Sequence, residues 1–109
     1  MINIHIVRDT DGFIWEFTVK GHAGAGRYGY DIVCSAVSVL AYTAVGALEE
    51  MIGIKNYIEK DGYMKCAIPC DLADDKKVKV RIILETIVTG FKQVRLSYKK
   101  YVTVLDEEV

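Results

Sequence analysis

A short stretch of this chain brings together a thiol, an imidazole and a carboxylate, as Cys34, His22 and Asp31. Asp31-Ile-Val-Cys34 reads as a helix start, with Asp31 a good N-cap and the thiol in the first helical turn. There the unpaired backbone N–H groups and the positive end of the helix dipole favour an anion. An ordinary cysteine, with a pKa of about 8.5, is only about 3% thiolate at pH 7, so position decides its reactivity. If the glycine-rich segment between His22 and Cys34 folds back, the two side chains meet and form an imidazolium–thiolate nucleophile. Backbone N–H groups of the helix start and the glycine segment would then hold a developing oxyanion, which is the chemistry of amide hydrolysis. The plain alternative is that His22 is a turn residue and Cys34 a small buried helix residue. Asp31 either caps the helix alone or also orients His22 and tunes the thiol. Ser38, one turn beyond Cys34 on the same face, lines the pocket or returns its hydroxyl to its own helix backbone.

The elements that must position these groups are legible from periodicity. Ile2, Ile4 and Ile6 alternate with Asn3, His5 and Val7, and after Asp11-Gly12 the residues Phe13, Trp15, Phe17 and Val19 alternate with polar ones. Period two around an Asp-Gly turn is a hairpin, with His5 facing outward. Gly21 to Tyr30 holds Gly21, Gly24, Gly26 and Gly29, a density that only a loop tolerates. Beyond Asp31, the residues Val33, Val37, Leu40, Ala41, Ala44, Leu48, Met51 and Ile52 recur at helical spacing up to a stop near Gly53. Asn56 to Lys60 and Tyr63 to Ile68 flank a second Asp-Gly turn, Asp61-Gly62, and Pro69 ends the second strand. Asp71 or Asp74 opens a second helix with a stripe of Val80, Ile83, Leu84, Ile87, Val88, Phe91, Val94 and Tyr98. Tyr101 to Leu105 offers a short final strand. The order ββαββα describes an α/β two-layer sandwich (α+β), a mainly antiparallel sheet with two helices on one face, over a single domain, 1–109.

Composition narrows the function classes. With 109 residues, 51% hydrophobic and 27% charged, the chain can build one core without staples. Its 14 Lys+Arg against 15 Asp+Glu give a formal charge of -1, so no surface for nucleic acid is expected. No apolar run is expected to reach the roughly 18 residues that cross a bilayer, and no signal peptide opens the chain, so the expectation is a cytoplasmic protein without a membrane partner. Three cysteines leave at least one unpaired, and reduced thiols are expected. Cys66 alternates with Met64 and Ile68 as an inert core thiol, while Cys70 sits at a strand end. Cys34, His5 and His22 are the only soft partners left for Cys66 and Cys70, without paired-ligand spacing, so no metal is expected. Gly24-Ala-Gly26-Arg-Tyr-Gly29 satisfies G-x-G-x-x-G, the weak fingerprint of a nucleotide-binding loop. Asp31 would stand where phosphate should lie, and a hairpin follows where a parallel strand is required. Exposed sheet edges suit a homodimer, and an ordinary monomer fits nearly as well.

Gly21-His22-Ala23-Gly24 and Asp31-Ile-Val-Cys34-Ser-Ala-Val-Ser38 together resemble the signature of the bacterial ribosomal-processing cysteine protease family, Prp. The likeness extends over nearly the whole chain, including Leu84-Glu-Thr-Ile-Val-Thr-Gly90 in the second helix. It implies that Cys34 is the nucleophile and His22 the general acid/base, with Asp31 and Ser38 in supporting roles. It further implies a homodimer without metal or cofactor that removes a short N-terminal extension from large-subunit ribosomal protein twenty-seven, cutting after an aromatic residue. Gly21, Ala23, Gly24, Gly26 and Gly29 would form the substrate loop, with Arg27 and Tyr28 in its less constant part. A ribosome-associated binding module without enzymatic activity is the rival reading.

Overall fold

The computed structural model describes residues 1–24 and 31–109. The described residues form β1 (Ile2–Arg8), β2 (Ile14–Lys20), α1 (Ile32–Ile52), β3 (Tyr57–Lys60), β4 (Tyr63–Ala67), α2 (Asp74–Ser97) and β5 (Val102–Glu108). The sheet runs β3-β4-β2-β1-β5. Neighbouring strands are antiparallel except β5, which lies parallel to β1 from Ile2↔Val102 to Arg8↔Glu108. The expected ββαββα order is therefore one element short. The last strand begins at Val102 and runs on to Glu108, because Asp106 and Glu107 find partners across the sheet in Arg8 and His5.

One face of the sheet carries the core. Ile2, Ile4 and Ile6 share it with Phe17, Met64, Cys66 and Val102, and both helices cover it. Phe17 from the sheet meets Phe91 from α2 with ring centroids 6.1 Å apart and planes tilted by 55°. The helices touch closely where Gly90 faces Leu40; a Cβ on Gly90 would stand 2.7 Å from the leucine Cδ2. On the other face, His5 bonds Glu107, Thr103 bonds Asn3, and Lys65 pairs with Glu16.

Asp31 caps α1 as its type predicts. Its Oδ1 accepts from the Val33 and Cys34 N–H groups at 3.0 Å each, and Gly53 closes the far end at φ 76°. At 21 residues with a mean hydropathy of 1.7, α1 is long and apolar enough to cross a bilayer by length and composition, against the expectation that no segment would be. Burial accounts for part of that apolarity, through Val33, Val37, Ala41, Ala44, Val45, Leu48 and Ile52, whereas Ile32, Val39, Tyr42 and, against the expected stripe, Met51 are exposed. α2 opens at Asp74, one of the two expected starts. Ala73 occupies the cap position without a side-chain bond, and Asp74 and Asp75 supply only their charge to the first turn.

A half-buried ion cluster ties the C-terminal strand to the rest. Arg8 donates to both carboxylate oxygens of Glu85 on α2, at 2.6 and 3.0 Å, and of Asp106 on β5, at 2.7 and 3.0 Å. Lys92 adds a bond to Asp106 at 3.0 Å. These paired forks hold the Asp106 carboxyl below its usual range, chiefly through the Arg8 bonds.

Candidate active site

At the end of the sheet where β2 finishes and α1 begins, a cleft of about 540 Å³ opens between α1 and the β3–β4 hairpin. His22 and Cys34 both line it. The wall on α1 continues through Val37, Ser38, Ala41 and Tyr42, and the hairpin contributes Glu59 to Met64. Ser38 is thus a wall residue one turn from the thiol. Across the cleft the Tyr42 hydroxyl bonds the Glu59 carboxylate, which raises the pKa of that phenol.

His22 is placed by the end of β2. Gly21 just before it adopts φ 100°, and a Cβ there would lie 2.4 Å from the Met1 carbonyl oxygen, so the bend admits only glycine. Gly21 N–H donates to Gly62 O at 2.8 Å, which fastens the strand end to the second hairpin turn. The imidazole is exposed, with Nε2 3.9 Å from Asp61 Oδ1. Ala23 is buried, and its N–H donates to Cys34 Sγ at 3.1 Å. Residues 22–23 therefore do fold back onto the helix start. Gly24 is described, at φ 68° with open space around it. Gly26, Gly29, Arg27 and Tyr28, with most of the G-x-G-x-x-G pattern, lie outside the described residues.

The electrostatics of the sulfur differ from the expectation of a dipole-stabilised thiolate. The pKa of Cys34 is raised, first by burial and then by the charge and hydrogen bond of Asp31; the Ala23 N–H opposes this. The positive end of α1 is already satisfied by the Asp31 carboxylate, leaving the resting sulfur a thiol. The same contact corrects the helix-start part of the expected oxyanion donors, because the Val33 and Cys34 N–H groups are both bonded to Asp31 Oδ1; the glycine segment at 25–30 lies outside the described residues. Asp31 thus fills the helix mouth where a nucleotide phosphate would sit, and the chain after α1 returns as an antiparallel hairpin.

Cys66 is buried and its thiol is pushed up to about 11 by burial, as suits a core cysteine. Cys70 is exposed. Among the described residues no group of three His, Cys, Asp or Glu side chains is arranged to hold a metal ion. Tyr42, Glu59, Lys60, Asp61, Gly62 and Tyr63 were not foreseen as cleft residues. The signal was the Asp61-Gly62 turn together with the pairing Lys20↔Tyr63, which sets that turn beside the residues following β2.

The sequence and the fold of the chain match a known kind of protein. The family profile of the cysteine protease Prp matches residues 1–103. The chain belongs to that family. It is accordingly a cysteine protease. It is 28% identical over 102 residues to the ribosomal processing cysteine protease Prp of Bacillus subtilis, covering 91% of each chain. It is 24% identical over 103 residues to the same-named protein of Staphylococcus aureus, covering 92% of this chain and 93% of the relative. Its fold superposes on the S. aureus Prp crystal structure with a covalently linked product peptide at a TM-score of 0.87, 23% identity and coverage of 98% and 100%. The crystal structure of SMU.848 from Streptococcus mutans superposes at a TM-score of 0.82 with 31% identity, covering 100% and 96%.

Proposed function

We propose that this Prp-family chain is a cysteine endopeptidase acting on the N-terminal extension of a ribosomal protein precursor, with Cys34 as nucleophile and His22 as general acid/base. The observation that carries the reading is the placement of the two side chains on one cleft large enough for an extended peptide, with the Ala23 N–H already aimed at the sulfur. Relatives named for ribosomal processing, one solved with a covalently linked product peptide, favour this substrate class. Large-subunit ribosomal protein twenty-seven, cut after an aromatic residue, is the substrate that the family resemblance suggests.

In the proposed cycle His22 takes the Cys34 proton as substrate enters, and the sulfur attacks the scissile carbonyl. The tetrahedral oxyanion collapses, the C–N bond breaks, and the imidazolium gives its proton to the leaving amine. Water, deprotonated by His22, attacks the thioester, releasing the carboxylate product and restoring the thiol. Because burial and the Asp31 charge raise the free thiol's pKa, the cycle begins from a protonated Cys34, and its ionisation belongs to the complex with substrate. Asp31 acts as the cap that sets the helix start, and its charge adds to the larger effect of burial in raising the pKa of the unliganded thiol. Ser38 shapes the wall beyond the sulfur. We further propose a cytoplasmic homodimer, checked by cell fractionation and by sedimentation.

The direct test is incubation with a ribosomal precursor that carries its extension, read by mass spectrometry. The parent is expected to cut once, after an aromatic residue, and Cys34→Ala and His22→Ala are expected to leave the precursor intact. Steady cleavage by either variant would overturn the assignment of roles.

A further inference from the structure

The sheet has two Asp-Gly hairpin turns whose glycines both occupy the left-handed region, at φ 80° for Gly12 and 69° for Gly62. They differ in what lies over the α-carbon. A Cβ added at Gly12 would meet nothing within 4 Å. At Gly62 it would stand 2.9 Å from His22 Nε2, 3.4 Å from Cδ2 and 3.5 Å from Cε1. The outer edge of the imidazole therefore rests on the bare face of Gly62, and any side chain there would displace the ring. The same turn holds the backbone beside that ring through Gly21 N–H to Gly62 O at 2.8 Å, and its Asp61 carboxylate sits 3.9 Å from Nε2.

We propose that the Asp61-Gly62 turn is the positioning element of the His22 imidazole, with Gly62 as the surface that sets ring height and Asp61 as the charge that favours one ring orientation. Both are positioning residues, and the inference rests on His22 acting as the acid/base. A backbone bond, a van der Waals contact and a nearby carboxylate all come from one tight turn, against a ring that also lines the cleft. Misplacing a reacting group by about 1 Å costs about a hundredfold in rate; a methyl group 2.9 Å from Nε2 is inside ordinary contact, which begins at 3.4 Å, so the ring must move by roughly half of that 1 Å.

The two turns supply their own control. Gly62→Ala and Gly12→Ala impose the same left-handed strain on the backbone, but only the first touches the histidine. Peptide cleavage by Gly62→Ala is expected to lose ten- to a hundredfold in kcat with KM within about twofold, while Gly12→Ala stays within twofold of the parent in both. Asp61→Asn, which leaves the turn and the fold intact, is expected to lower kcat several-fold at low ionic strength and far less in 1 M salt, because the pair is exposed. Equal kcat for Gly62→Ala and Gly12→Ala, a change in KM alone, or an Asp61→Asn loss indifferent to salt would overturn the proposal. His22→Ala in the same assay separates the two levels. If it keeps parental kcat, the acid/base reading fails; if it is inactive while the two glycine variants match, only the positioning inference fails.

Discussion

Replacing Asp31 separates the two things its carboxylate does. The side chain accepts from Val33 N–H and Cys34 N–H at 3.0 Å each, and it adds to burial, the larger cause, in raising the pKa of the Cys34 thiol. Asp31→Ala removes the cap, at a cost of about 1 kcal/mol within a usual range of 0.5–2. For a domain of this size each kcal/mol lowers Tm by about 4–8 °C. Asp31→Asn keeps an accepting oxygen and loses the interaction of charge with the helix dipole, about 0.3–1 kcal/mol. Stability should therefore fall in the order parent, Asn, Ala. Thiol reactivity should follow a different order. Both variants remove a negative charge beside the sulfur, so both should shift the midpoint of Cys34 alkylation to lower pH than in the parent. The assay is iodoacetamide labelling from pH 6 to 10, resolved to the Cys34 peptide by mass spectrometry, alongside calorimetry. Equal midpoints in all three proteins, or a midpoint that tracks stability instead of charge, would refute this account of the sulfur's electrostatics.

Phe91 is completely buried against Phe17, so Phe91→Ala should cost about 3–5 kcal/mol, measured by urea unfolding. Asp106, held below the usual carboxylate range by Arg8, contributes stability that is present above its unfolded pKa of about 3.9 and lost as pH falls through the folded value. Asp106→Asn should consequently flatten the acid limb of Tm between pH 2 and 6 while lowering Tm at pH 7. Cys66, at about 11 and buried, should resist alkylation in the native protein at pH 8 and label only in denaturant, whereas exposed Cys70 labels at once.

Strongly periodic or punctuated segments were legible in the chain itself. The two Asp-Gly hairpins, α1 between Asp31 and Gly53, and the apolar stripe of α2 all stand where spacing places them. β5 was harder to read to its end, because Asp106, Glu107 and Glu108 are a poor strand sequence by local preference. Their place is secured by Arg8, Lys92 and His5, all distant in sequence except Lys92. Of the site, Gly21-His22-Ala23 and the helix start carried recognisable chemistry. The dual place of Asp31 as cap and neighbour to the thiol was open from the sequence; what spacing could not show is that burial, with the Asp31 charge behind it, raises the thiol's pKa instead of lowering it. Nor could it show the β3–β4 turn beneath the imidazole, since that depends on β4 choosing β2 as its partner.

The central claim is that Cys34 sulfur attacks the peptide carbonyl. Acid-quenching the parent in the first turnovers with an extension peptide, then mapping the adduct by mass spectrometry, tests it most directly. The account predicts a thioester on Cys34 whose mass equals the acyl half of the cleaved peptide, formed no more slowly than the cleaved product and absent in Cys34→Ala. Undiminished cleavage by Cys34→Ala, or an adduct that maps to Cys70, would contradict it.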